Sequence, residues 1–308
     1  MYGIKKIALT GATSTIGTAI IRECVANDIE VIAFVNRGSK NEGRIPEDAL
    51  VKKIYCSLNE MKEVDTLGLN AEAFFHLAWG STNRLVRDNL DPQVNNIRYA
   101  LDSVLLAKKM GCDTYVGAGS QAEYGRTDEI LTEKTYPKPE TAYGMAKLCA
   151  GQMTRLACKK CGLKHIWPRM LSTYGPYTQD TTIINYTINC LLHGEKPSLS
   201  GCEQIWDFLY VDDAAKALLL VAEKGTDGEI YNVSSGRAAT LKGYIEIIRN
   251  KINPDAEIGY GDLPYGKETV MHLEGDITKL KNETGFVPMI SFEEGVIKTI
   301  EWAKKYYK

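Results

Sequence analysis

The sequence has no apolar run long enough to cross a membrane, no internal repeat, no low-complexity tract and no dominant sign of charge. The short apolar stretch Ile7-Ala8-Leu9 that follows Met-Tyr-Gly-Ile-Lys-Lys is too brief for a signal peptide or a span. A cytoplasmic protein with no membrane partner is therefore expected. Lysine and arginine number 37 against 39 acidic residues, a formal net charge of −2. That balance removes the electrostatic case for nucleic acid or an anionic membrane surface, though it leaves room for a local phosphate pocket. Histidines are few, 4 in all. His76 lies in an apolar run and reads as core, while His165, His193 and His272 lack metal-ligand spacing, so no metal is expected. Among 8 cysteines, Cys158 and Cys161 have ligand-like spacing but no second pair at zinc-ribbon distance. The cysteines are expected to be reduced and buried.

What is present is a core-forming composition. The 308 residues are 44% hydrophobic and 25% charged, which suits one large α/β domain or a dinucleotide domain with a smaller partner. Short apolar runs at 7–10, 30–35, 53–55, 73–77, 114–118 and 165–168 read as strands. Helical spacing covers 16–26, 95–110 (closed by Gly111) and 142–161. Strands alternating with helices predict a parallel, doubly wound sheet. From about Tyr174 the rhythm loosens into turns, prolines and aromatics. This half reads as substrate-binding elements over the carboxyl edge of the sheet, where ligands bind in open α/β folds. The expected division is a dinucleotide-binding domain at 1–173 and substrate-binding elements at 174–308. Residues 206–231 partly return to the first domain.

The first strand runs into Thr10-Gly11-Ala12-Thr13-Ser14-Thr15-Ile16-Gly17. A pyrophosphate site needs a tight turn, a close backbone approach and a helix N-terminus aimed at negative charge. Gly11 supplies the turn, Thr15 and Ile16 offer backbone N–H groups, and Gly17 lets the helix lie close to the sheet. A glycine pattern alone is a weak signal; opening a helix directly after a strand strengthens it. The second strand ends Val35-Asn36-Arg37. The acid that holds a ribose 2′-OH in NAD sites is absent, and an arginine fork suits a 2′-phosphate. This favours NADP(H) over NAD, the bland alternative for Arg37 being a solvated strand end.

Tyr143-Gly-Met-Ala-Lys147 sets two side chains one helical turn apart. A phenol is a poor acid–base group at neutral pH, and a nearby ammonium is expected to lower its pKa. The spacing alone also fits a surface salt-bridging helix. Upstream, Ser120 ends a strand at the carboxyl edge, where it can bond the same substrate oxygen as Tyr143. Alone it would read as a cap.

With loop, serine, tyrosine and lysine in this order, the sequence resembles the extended short-chain dehydrogenase/reductases of the nucleotide-sugar epimerase/dehydratase/reductase branch. The likeness extends through Phe75-His76-Leu77-Ala78, Ser120 to Gly125, Pro168-Arg169 to Tyr174-Gly175-Pro176, Asp207-Phe208-Leu209-Tyr210-Val211-Asp212-Asp213, Tyr231-Asn232-Val233 and Gly285-Phe286-Val287-Pro288. It implies a Rossmann domain, a smaller mixed α/β C-terminal domain that grips a nucleotide-diphosphate sugar, and B-face hydride transfer. It further implies a homodimer formed through the helices at 95–110 and 142–161. The implied catalytic residues are Ser120, Tyr143 and Lys147. The implied cofactor wall is Gly11, Thr13, Ser14, Thr15, Ile16, Gly17, Asn36, Arg37, Ser57, Leu58, Leu77, Ala78, Trp79 and Asn95, with Tyr143 and Lys147. Trp79, Gln121, Ser172 and Trp206 are the implied substrate contacts.

Several positions depart from the family pattern. Ser14 replaces the loop's second glycine, where it would either crowd a pyrophosphate or bond it. Ser172 stands for an asparagine and Trp206 for the arginine that commonly meets the substrate diphosphate. Trp206 would either stack on a base or sugar, or pack. Dehydratases of the family carry an Asp-Glu pair directly after the catalytic hydroxyl, as acid and base for water loss. Gln121 and Ala122 stand there instead. Glu123, one place later on a strand-like backbone, would face away, so a 4,6-dehydratase is excluded. Arg169 reads as support behind the Tyr174 loop. The expected activity is NADPH-dependent reduction of a nucleotide-linked 4-keto-(6-deoxy)sugar at C4. The alternative is an NAD-dependent 4-epimerase, and third comes a non-catalytic dinucleotide-binding protein on the same fold.

Overall fold

In the computed structural model, residues 2–83, 85–267 and 269–306 are described; Met1 and Lys308, the outer limits of the expected domains, lie outside them. The strands are β1 Lys6–Thr10, β2 Glu30–Val35, β3 Val51–Tyr55, β4 Ala73–His76, β5 Thr114–Gly117, β6 Gly119–Ser120, β7 Lys164–Met170 and β8 Ser172–Tyr174. They continue with β9 Ser198–Leu199, β10 Ile205–Trp206, β11 Phe208–Tyr210, β12 Ile230–Val233, β13 Ala239–Thr240, β14 Gly259–Tyr260 and β15 His272–Leu273. The helices are α1 Thr15–Val25, α2 Leu90–Lys109, α3 Ala142–Cys161, α4 Ile183–Leu192, α5 Val211–Lys224, α6 Leu241–Ile252, α7 Thr278–Thr284 and α8 Phe292–Tyr306.

The main sheet runs β12-β7-β5-β4-β1-β2-β3, with β6 also on β7. All its pairings are parallel. Side chains on β1 alternate between two cores. Ile7 and Leu9 join α1 and α5 residues such as Ile20, Ile21 and Leu218 on one face. Ala8 joins Phe74, Val104 from α2 and Cys158 from α3 on the other. This two-sided burial explains why the central strands read as continuous apolar runs. β1 lies between β2 and β4, so the chain order reverses there, and the crevice for a ligand opens at the carboxyl ends of these strands.

β12 lies beside β7, bringing residues 230–233 back to the main sheet. Beyond β8, the chain forms the two-stranded sheet β9–β14 and the three-stranded sheet β13-β10-β15, together with helices α4, α6 and α8, which pack on one another. α2 starts earlier than the spacing of 95–110 suggests because Pro92 falls in its first turn, where the missing N–H would have no intrahelical partner. Cys149, expected buried, is exposed on α3, and Cys161 is half-buried.

Candidate active site

The carboxyl ends of the strands enclose a cavity of about 970 Å³, at the large end of small-molecule sites. One end holds the glycine loop and α1. Gly11 has φ +76°, and a Cβ there would lie 2.8 Å from the Ala78 nitrogen; one on Gly17 would lie 2.1 Å from the Gly11 carbonyl oxygen. Both positions demand glycine, and they leave a bare backbone cradle at a helix N-terminus, where first-turn N–H groups lack intrahelical partners. A pyrophosphate fits that donor set. Ser14 neither crowds the loop nor stands free. Its backbone is extended, and its hydroxyl accepts from Gly17 N at 3.0 Å, capping α1. That explains why a serine is tolerated at this point of the loop.

At the other end stand Ser120, Tyr143 and Lys147. Thr141 caps α3 by accepting from Gly144 N, which brings Tyr143 into the first turn and Lys147 one turn later. The Lys147 ammonium donates to Ala118 O at 2.7 Å and lies 5.7 Å from the Tyr143 ring centroid. Burial pushes Lys147 down to about 7, with Glu123 acting against the fall. Burial pushes Tyr143 up to about 12; the Ser120 hydrogen bond and the positive charge of Arg87 act against the rise. The expectation that Lys147 lowers the Tyr143 pKa is thus not met. The ammonium is spent on a backbone carbonyl, and desolvation dominates.

Behind Ser120 lies a buried carboxylate. Residues 121–123 form a 3-10 turn rather than a strand. Glu123 does face away from the cavity, and its Oε1 accepts from Ser120 N at 2.8 Å and from Trp167 Nε1 at 3.0 Å. Its Oε2 accepts from Arg169 Nε at 2.7 Å, with both side chains at most 2% exposed. Arg169 therefore supports the serine strand end rather than the Tyr174 loop.

Of the other expected residues, Thr13, Thr15, Ile16, Asn36, Ser57, Leu58, Leu77, Ala78 and Trp79 line the cavity; Gln121 and Ser172 do not, and Gly17 lies beneath the loop. Three further expected residues also stand away from the cavity lining. Arg37 stands outside the cavity, 67% exposed and 3.4 Å from Glu60, because its side chain leaves the strand end towards the turn after β3. Asn95 is exposed. α2 presents Gln93, Asn96 and Ala100 inward, and Asn96 pins Gly80 by bonds of 2.9 Å to its N–H and its carbonyl. Trp206 does not line the cavity; it is half-buried with its ring centroid 6.3 Å from that of Phe208. Arg44, Tyr177, Trp302 and Tyr306 also wall the cavity. No local sequence signal marks them, since three distant segments supply them. No group of three or more His, Cys, Asp or Glu able to hold a metal occurs among the described residues, and none of their helices is long and apolar enough to cross a membrane.

A Rossmann sheet, a glycine cradle and a Ser-Tyr-Lys cluster facing one cavity define a dinucleotide-dependent oxidoreductase of the extended short-chain dehydrogenase/reductase type. The chain belongs to the NAD dependent epimerase/dehydratase family, whose model matches residues 7–234. It is 26% identical to the dTDP-4-dehydro-6-deoxyglucose reductase of Escherichia coli, over 96% of each chain. Its fold matches the UDP-glucose 4-epimerase of Thermotoga maritima solved with UDP-glucose, with TM-score 0.85, 24% identity and coverage of 98% of this chain and 100% of that one. It also matches the UDP-glucuronic acid 4-epimerase of Bacillus cereus solved with NAD, with TM-score 0.84, 19% identity and coverage of 98% and 100%.

Proposed function

We propose that the protein reduces the C4 carbonyl of a nucleotide-diphosphate 4-keto-(6-deoxy)sugar with NADPH. The observation that carries this reading is Asn36. It lines the cavity at the end of β2, where an acid would hold the ribose 2′-OH of NAD. The full-length likeness to a 4-keto-6-deoxy sugar reductase points the same way. Gln121 and Ala122 take the places of the acid–base pair that water elimination needs.

The reduced nicotinamide supplies the hydride when bound. Tyr143 holds a proton at neutral pH, since its phenol sits at about 12, and gives it to the C4 oxygen as the alcohol forms. Ser120, which lines the same cavity as Tyr143, orients that oxygen. Lys147 would hold the ribose of the bound dinucleotide, and Trp79 walls the same pocket. The test is exchangeable binding of NADPH with consumption of a nucleotide-linked 4-keto sugar. A tightly retained NAD with 4-epimerase turnover would overturn the reading. The epimerase remains the second reading because Arg37, one of the two sequence features favouring NADPH, lies outside the cavity.

The protein is also proposed to pair with a second copy through α2 and α3. Val94 and Leu105 on α2, and Met145, Met153 and Leu156 on α3, are exposed apolar side chains on two helices packed side by side. An apolar stripe of this kind marks an interaction surface. Light scattering is expected to give a dimer for the wild type and a monomer for L156D.

A further inference from the structure

Two cations line the cavity among the described residues: Lys147, beside Tyr143, and Arg44. Arg44 closes the 3-10 turn Glu42–Arg44 that follows β2. That turn is anchored to β3, because Glu42 accepts from Tyr55 OH at 2.5 Å and from Lys53 Nζ at 3.5 Å. The guanidinium then reaches back over the glycine loop. Its NH1 meets Thr13 O at 3.5 Å, the outer limit of a hydrogen bond. Its other support is the Tyr177 ring, whose centroid lies 4.9 Å from Arg44 Cζ.

Tyr177 is itself held in place. Its carbonyl accepts from Thr15 Oγ1 at 2.9 Å, its backbone takes φ +65°, and its ring meets the edge of Trp302 at 5.3 Å. An aromatic platform fixes a guanidinium without neutralising it. No carboxylate lies within ion-pair distance of Arg44 among the described residues. Asp180 is the one carboxylate among the described cavity residues. Arg37, by contrast, faces Glu60 outside the cavity. Asn36, Asn41 and Ser57 line the same cavity, and they are polar but uncharged.

We propose that Arg44, and not Arg37, is the residue that reads the adenosine 2′-phosphate and sets the preference for NADPH over NADH. The proposal rests on the NADPH reading above. A planar fork on an aromatic shelf offers paired donors to phosphate oxygens, and the ribose 2′ position lies at the end of β2 in this fold.

The experiment is a fluorescence titration of wild type, R44A, R44K and R37A with NADPH and with NADH. R44A is expected to weaken NADPH roughly ten- to hundred-fold, the range of a lost charge-assisted contact, while NADH binds as to wild type. Unchanged NADH affinity also shows that the variant's cleft is folded. R44K, which keeps charge but loses the fork, should fall between, and R37A should keep the preference. Equal weakening of both dinucleotides in R44A would place Arg44 on the diphosphate and overturn the proposal while leaving the NADPH reading intact. Loss of preference in R37A alone would do the same. A wild-type protein with no preference for NADPH would sink both.

Discussion

The Lys147 ammonium lies 3.6 Å from the centroid of the Trp79 ring, while its Nζ donates to Ala118 O. Trp79 is fixed in turn by Nε1, which donates to Gln93 Oε1 at 2.9 Å. Helix α2 therefore sets the face on which the lysine rests, and the Lys147 ammonium is buried with no directly bonded carboxylate among the described residues.

That burial has a pH signature. Lys147 falls from its ordinary 10.5 to about 7 in the folded protein. Between those values the unfolded chain binds more protons than the folded one, so this group makes stability rise with pH across the window. Below pH 7 both states are protonated and the full penalty applies. K147M is expected to abolish turnover yet raise the melting temperature at pH 6, with the gain shrinking towards pH 10. Calorimetry at several pH values checks it; a lower melting temperature at pH 6 would contradict it.

Y143F removes the proton donor and leaves the ring. Turnover should drop roughly 10²–10⁴-fold, the usual worth of a placed acid–base group, with dinucleotide affinity close to wild type. Single-turnover kinetics and a binding titration separate the two effects. A variant with normal turnover would favour a protein that binds but does not catalyse.

Glu123 and Arg169 form an ion pair at most 2% exposed, and Glu123 also receives the Ser120 N–H. Losing one partner strands the other charge in the core, at about 3–5 kcal/mol. R169M is expected to show that loss in urea unfolding. E123Q keeps an acceptor for Ser120 N but turns its amide N–H2 towards Arg169 Nε, so it strands the guanidinium and is expected to lose a comparable amount.

G17A forces a Cβ to 2.1 Å from Gly11 O. Since the obstacle is backbone, the loop has to open. The variant is expected to lose binding of either dinucleotide beyond detection in a micromolar titration, while circular dichroism shows the sheet retained.

The main sheet was legible because β1, β2, β4 and β5 are buried on both faces, which leaves unbroken apolar runs. That Ser120, Tyr143 and Lys147 share one cavity was legible because Tyr143 and Lys147 lie on one helix and Ser120 ends a strand. Phase was harder to read. Asn95 and Asn96 differ by one helical step, and only the position of α2 against the loop at Gly80 decides between them. Arg37 and Arg44 follow the same strand, and where each side chain lies depends on Glu60 and Tyr177, residues distant in sequence. The wall built from Tyr177, Trp302 and Tyr306 is tertiary in origin and left no local pattern.

The most direct test mixes the purified protein with NADPH and a panel of nucleotide-linked 4-keto-6-deoxy sugars and follows absorbance at the nicotinamide band. Stoichiometric NADPH oxidation with formation of the C4 alcohol, abolished in Y143F, is the expected result. No oxidation, together with NAD retained through purification and interconversion of C4 epimers, would contradict it.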